Sequence, residues 1–284
     1  MSALKFQSLK SFTTALTALS ITLALAGCAG TLARDPTLGW TADQLYADAK
    51  DEMSSGNWAQ AITVLEKLES RYPFGRYAQQ AQIDTAYARW KEGEPALALA
   101  AIDRFIKLYP NHENIDYVLY LKGLINFNDR SSLFTRYTGE DLAERDPKAA
   151  REAFDTFKEL VTRFPESKYA SDASARMRYL LDTLASNDVH VARYYLRRGA
   201  VLAAVNRAQA VVKQYQDTPA VEEALAIMVA GYKQLGLEDL SNDAKRVLQS
   251  TYPESVYLKA EYNPRIRGGV ANREASTLSR LKFW

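Results

Sequence analysis

Two histidines, His112 and His190, and one cysteine, Cys28, are the only imidazole and thiol groups in this 284-residue chain. A structural zinc site takes four such ligands at close spacing, so no metal or haem centre is expected. No glycine-rich phosphate loop and no nucleophile elbow occurs either. The 34 acidic side chains lie in helical patterns, where they read as solvated surface rather than as acid/base pairs. Neither a cofactor nor catalysis is therefore expected. The residue types left to do the work are the one thiol and the aromatic rings, which offer large contact areas at small entropic cost and suit recognition rather than bond-making.

The thiol stands in a specific setting. Lys5 and Lys10 precede an uncharged stretch over 12–25, and small residues follow. This is the layout of a secretory signal peptide, assigned to residues 1–27. The stretch Leu25-Ala26-Gly27-Cys28 resembles the bacterial lipobox, in which the cysteine is alkylated by a diacylglyceryl group and becomes the new N-terminus. Cleavage elsewhere in the small-residue run would instead leave Cys28 as a free thiol. Lipidation explains an odd cysteine in an exported chain, and several acyl chains together make a lasting anchor. Ala29, where enterobacterial-type sorting would place an aspartate to retain the protein at the inner membrane, points to the outer one. Without the signal peptide the formal charge is zero, so no global field favours nucleic acid.

The elements that must position the aromatic rings come from a repeat. Residues 56–73, GNWAQAITVLEKLESRYP, place Ala61, Ile62, Leu65 and Leu68 on one helical face and stop at Tyr72-Pro73. A small residue eleven positions before an aromatic recurs as Ala61/Tyr72, Ala98/Tyr109, Ala153/Phe164, Ala204/Tyr215 and Ser241/Tyr252. Glycine precedes the small residue by five positions at Gly56, Gly93, Gly199 and Gly236, whereas Lys148 breaks the pattern in the third copy. Successive aromatics are 37, 55, 51 and 37 residues apart. Such periods, with small residues where two helices cross and a closing proline, predict an all-α solenoid of five tetratricopeptide-like helix-turn-helix repeats. The expected organisation is a lipidated tether over 28–40, repeats over 41–258 and a flexible basic tail over 259–284. The repeats fall at about 41–74, 75–111, 112–166, 167–219 and 220–254.

In such arrays the leading helix of each repeat lines the groove. Counting from Ala49, Ala86 and Gly123 puts Tyr46, Lys50 and Met53, then Gln80, Tyr87 and Trp90, then Tyr117, Tyr120 and Phe127 on that side. They form a candidate aromatic groove for a peptide; the alternative for each ring is packing between repeats. The third repeat carries an insert over 129–147. The fourth has a lengthened leading element over 168–198, continuous or broken at Asn187-Asp188. Its end is basic and aromatic, with Arg193, Tyr194, Tyr195, Arg197 and Arg198 and, further on, Arg207. With no acid nearby in sequence, this cluster is either an interface for an acidic surface or a solvated face.

The runs RYPFGRYAQQAQ (71–82), AAIDRFIKLYPNHENIDYVLYLKGLINF (100–127) and RYYLRRGAVLAAVNR (193–207) go beyond the generic repeat. From the lipobox to about Tyr257 the chain closely resembles the BamD family, lipoproteins of the β-barrel assembly machinery of Gram-negative bacteria. The resemblance implies a lipid-anchored protein on the periplasmic face of the outer membrane. It also implies binding to BamA through the C-terminal repeats, support of other lipoprotein subunits, and recognition of the C-terminal targeting strand of unfolded outer-membrane proteins. On that basis the groove residues are expected to hold the strand, and Arg193, Tyr194, Arg197, Arg198 and Arg207 to face BamA. The rival expectation is a periplasmic adaptor for cell-wall or division machinery. A third reading, a wall-acting enzyme with the repeats as a targeting arm, requires a catalytic domain, and the repeats leave too few residues for one.

Overall fold

A computed structural model describes residues 35–127, 147–266, 268 and 269. The expected signal peptide, Cys28, nearly all of the expected insert and the last fifteen residues lie outside the described residues.

The repeat is carried by five helix pairs: α1 (Ala42–Ser54) with α2 (Trp58–Arg71), α3 (Arg76–Glu92) with α4 (Pro95–Leu108), α5 (Ile115–Phe127) with α6 (Lys148–Arg163), α7 (Ala170–Arg197) with α8 (Val201–Gln214), and α9 (Ala220–Gln234) with α10 (Glu238–Thr251). A short α11 (Val256–Lys259) follows. Among the described residues there is no strand, and no helix is long and apolar enough to cross a membrane.

The aromatic that closes each phrase has one structural job. Tyr72, Tyr109, Phe164, Tyr215 and Tyr252 are the C-caps of α2, α4, α6, α8 and α10. All five share one backbone conformation, with φ from −133° to −128°, and each N–H donates to the carbonyl four residues back. The residue after the cap no longer needs a helical N–H donor, which is why proline is accepted there in four copies. Between the helices of a pair, Gly56, Gly93, Gly199 and Gly236 have φ of 78°, 95°, 78° and 71°. This left-handed region is costly for any residue with a Cβ. At the start of the array Thr41 caps α1, its Oγ1 accepting from Gln44 N–H while Gln44 Oε1 accepts from Thr41 N–H, a reciprocal capping box.

Close approach of paired helices explains the small residues. Ala49 with Ala61, Ala86 with Ala98, and Ala192 with Ala204 are all buried at twelve-residue spacing. In the third pair a Cβ on Gly123 would lie 2.3 Å from the Phe157 ring. The fifth pair departs from the rule: Val229 takes the leading position, and the Ser241 hydroxyl donates to its carbonyl at 3.0 Å.

The fourth leading helix is continuous. At 28 residues it runs about 42 Å and belongs to two cores. Ala173 and Leu180 pack with Phe105, Leu119, Leu121 and Phe157 of the middle repeats, whereas Val189, Ala192 and Leu196 pack with Ala208, Val211 and Ile227 of the last two. Asn187 and Asp188 sit within it without a break, Asp188 being buried against Arg207.

The expected tether and the expected flexible tail are both held down over their described parts. Asp35 is bound by Lys67 at 3.0 Å and by Arg71 at 2.6 Å, fixing the end of the tether to α2. At the other end, Tyr257 and Tyr262 are buried, and Tyr257 Oη donates to the Gly268 carbonyl at 3.0 Å. The first residues of the predicted flexible tail are thus a packed segment covering the C-terminal repeats. Two buried tyrosines, which repeat-counting could not weigh, are the cause.

Candidate functional site

The leading helices touch one another, α1 against α3, α3 against α5 and α7 against α9, and Tyr117 and Tyr120 of α5 meet Tyr169 at the start of α7, so side chains of the leading layer follow one another in a band along the array. At its start the band is organised on a carboxylate. Asp84 of α3 is buried, yet its Oδ2 accepts from Tyr46 Oη at 2.9 Å and from Lys50 Nζ at 3.4 Å, and its Oδ1 accepts from Gln80 Nε2 at 3.1 Å. Asn114 of the next repeat donates to Gln80 Oε1 at 3.5 Å. Burial, and then the charge of Asp84, raise the pKa of both Tyr46 and Tyr117 well above the ordinary tyrosine value. Both hydroxyls therefore stay protonated, and the carboxylate fixes where that of Tyr46 points.

The rings continue from there in two ladders. Trp58, Tyr87 and Trp90 meet edge-to-face at 5.8 and 6.0 Å, with the Lys91 ammonium 5.7 Å from the Trp58 ring and 5.9 Å from the Trp90 ring. Tyr117 lies 5.6 Å from Tyr169, which stacks on Tyr120 at 4.7 Å. Tyr120 Oη donates to Asp172 at 2.7 Å. Arg176 binds the same carboxylate at 2.6 Å and lies 4.9 Å over the Phe127 ring. All eight predicted groove residues thus belong to the leading-helix layer. They are half-buried except Lys50, which is exposed. Met53, expected beside them, is buried in the first core instead.

The basic cluster divides. Tyr194, Arg197 and Arg198 are exposed, with the Arg197 guanidinium 5.8 Å over the Tyr194 ring. Arg193 is not on that surface: its Nε and Nη2 donate to Glu223 Oε1 at 2.9 and 2.8 Å, and Tyr262 Oη donates to the same oxygen at 2.9 Å. Burial alone would lower the Arg193 pKa, but the charge of Glu223 outweighs it and the net direction is upward. Arg207 binds the buried Asp188 at 3.0 Å. No acid stands nearby in sequence, but for these two arginines acids arrive from 30 and 19 residues away.

A cleft of about 720 Å³ opens among α2, α3 and α4, lined by Glu66, Glu69, Thr85, Arg89 and Arg104 among others. Its arginines are paired with its glutamates, Arg89 to Glu66 at 2.6 Å and Arg104 to Glu69 at 2.8 Å. None of the predicted site residues lines it.

Comparison with known proteins sets these features in a family. Residues 40–248 match the model of YfiO, described as an outer membrane lipoprotein. The chain belongs to that family. Among its relatives, outer membrane protein assembly factor BamD of Neisseria meningitidis serogroup B is 51% identical over 244 residues, which cover 84% of this chain and 91% of the relative. The factor of the same name from Vibrio cholerae is 44% identical over 206 residues, 72% of this chain and 86% of that one. That of Xylella fastidiosa strain Temecula1 is 36% identical over 247 residues, 87% and 84% of the two chains.

Several members of the band in this YfiO-family chain escape a count from the crossing residues. Asp84 sits two positions before Ala86, and its being the one charged residue between Arg76 and Arg89 was the only sign of a buried hub. Trp58 opens a second helix rather than a leading one, while Tyr169, Asp172 and Arg176 come from the fourth repeat, so the band spans one repeat more than expected. Fifty-two residues separate Tyr120 from Asp172, and no spacing rule connects them.

Proposed function

We propose that this chain is a non-catalytic scaffold and substrate-recognition lipoprotein of the outer-membrane β-barrel assembly machinery. It is anchored by acyl chains on Cys28 at the periplasmic face of the outer membrane. What carries the reading is the identity of about half the residues with an assembly factor over nearly its whole length, in a chain whose leading helices present an aromatic band. The band, from Tyr46, Lys50 and Gln80 through Tyr87 and Trp90 to Tyr117, Tyr120 and Phe127, grips the C-terminal strand of an unfolded outer-membrane protein. Half-buried rings held by neighbours lose little entropy when a peptide covers them. Tyr194, Arg197, Arg198 and Arg207 face BamA. Arg193 serves that face from behind, by holding the segment that carries Tyr262. Other lipoprotein subunits assemble on the same scaffold.

Two experiments test this. A pull-down from detergent-solubilised outer membrane, with the tag after Trp284, should recover a stoichiometric β-barrel protein with periplasmic domains. Recovery of wall or division proteins without that barrel would favour the adaptor reading. Separately, Tyr87→Ala with Tyr117→Ala should weaken binding of a peptide copying the C-terminal strand while helicity is retained. Unchanged affinity would remove the band from substrate recognition.

A further inference from the structure

Phe74 is the most exposed large apolar side chain among the described residues, at 90%, and Leu38, in the same region, is 61% exposed. The two share one end of the first repeat. Arg71 Nη1 donates to the Thr37 carbonyl, Arg71 Nη2 binds Asp35, and Tyr72 Oη donates to the Trp40 carbonyl at 2.8 Å. The segment bearing Leu38 is thereby fastened to the end of α2 that leads into Phe74. Phe74 stands between Pro73, right after the Tyr72 cap, and Gly75, the residue from which α3 starts, so the chain on both sides of it is tied to a helix end.

The tether says what lies opposite. Asp35, clamped by Lys67 and Arg71, is seven residues from Cys28, a stretch that spans at most about 25 Å when fully extended. A chain held by lipid at Cys28 therefore keeps this end of the first repeat within that distance of the bilayer. Around the two apolar side chains are Tyr72, Tyr77 and Arg76, the guanidinium of Arg76 lying 4.8 Å over the Tyr77 ring. Aromatic and arginine side chains around apolar tips are the composition that settles at the headgroup boundary of a membrane. We propose that Leu38 and Phe74 insert into the lipid surface, making the first repeat a second membrane contact that sets the tilt of the solenoid. This rests on the lipid anchoring at Cys28 proposed above.

The test uses the full-length lipidated chain, in which the acylated Cys28 leaves an introduced cysteine as the only thiol. Phe74→Cys, Leu38→Cys and, at the far end of the array, Leu240→Cys are each labelled with an environment-sensitive fluorophore. They are reconstituted into phosphatidylethanolamine/phosphatidylglycerol vesicles carrying brominated acyl chains. Probes at 74 and 38 should shift to the blue and lose emission to the bromolipid, and the probe at 240 should do neither. Phe74→Asp should abolish quenching of the probe at 38 while flotation with the vesicles persists, because the acyl chains still hold the protein. Flotation without quenching at 74 and 38 overturns the contact and leaves the anchor standing. Equal quenching at 240 overturns it as a specific contact, and protection of the probe at 74 only in complexes with other proteins reassigns the patch to a protein partner. Failure to float overturns anchor and contact together.

Discussion

Replacing Glu223 by alanine removes the oxygen on which Arg193 and Tyr262 converge. The Arg193 and Glu223 side chains are only 14% and 8% exposed, so the guanidinium left behind would be a buried charge whose lost partner water replaces poorly. Removing one member of such a pair costs about 3–5 kcal/mol. The exposed pair Lys233–Glu261, at 65% and 87%, is worth about 0–1 kcal/mol and makes Glu261→Ala the control. For a chain of this size each kcal/mol shifts the midpoint by about 2–4 °C, so Glu223→Ala should lower Tm by about 6–20 °C if the solenoid melts as one unit. Stacked repeats answer mainly to their neighbours, so hydrogen exchange should rise first in the C-terminal half of α7 and in α9. Arg193→Met combined with Glu223→Leu and Tyr262→Phe should recover most of the loss, because a buried polar cluster replaced whole by packed apolar groups is often neutral, whereas a Tyr262 hydroxyl left without its acceptor would not be. The reasoning is refuted if Glu223→Ala melts within error of Glu261→Ala. Arg193 would then be in contact with water and would return to the exposed basic face.

Other outcomes follow from the same structure. Gly123→Ala forces a Cβ into the Phe157 ring and should cost about 1–3 kcal/mol in urea unfolding. Gly56→Ala, where a Cβ meets nothing, should cost only the left-handed backbone term of about 1–2 kcal/mol. Burial, then Glu223, hold the Tyr262 hydroxyl pKa above the ordinary tyrosine value. Its contribution to stability is whole below about pH 10 and is lost as the pH climbs toward the folded value, so Tyr262→Phe should flatten alkaline unfolding. Asp172 runs the other way: burial would raise its pKa, but hydrogen bonds from Arg176 and Tyr120 outweigh it and the net direction is downward. Its stabilisation is present above about pH 4 and is lost as the pH falls through the folded value. With side chains 27% and 47% exposed, the pair is worth less than about 1 kcal/mol, and Asp172→Asn should remove that increment from the difference between acid and neutral melts.

How much of this was legible beforehand depends on the range of the interaction. The caps and turns were, because they are local: a tyrosine or phenylalanine before proline ends a helix, and a glycine five residues before a small residue supplies the left-handed turn. The crossing alanines were legible for the same reason, since a twelve-residue spacing across one turn fixes which side chains face each other. The face of the leading helices was legible in position but not in organisation. Counting placed Tyr46, Tyr117 and Tyr120 on the leading layer, but it did not place the buried carboxylate that two of the three hydroxyls sense, or the fourth-repeat rings that extend the band.

By itself, then, the amino-acid sequence determined the repeat, its period, the aromatic residue that closes each second helix and most of the face that the first three leading helices present. All of these follow from backbone sterics and a 3.6-residue period acting over a few residues. Only the tertiary structure decided which arginines remain on the surface, that 28 residues of α7 run unbroken through two cores, and that Tyr257 and Tyr262 fold the start of the tail back onto the array. These outcomes depend on charges and rings brought together from 19 to 52 residues apart, where desolvation and pairing are settled by three-dimensional packing and leave no periodic trace.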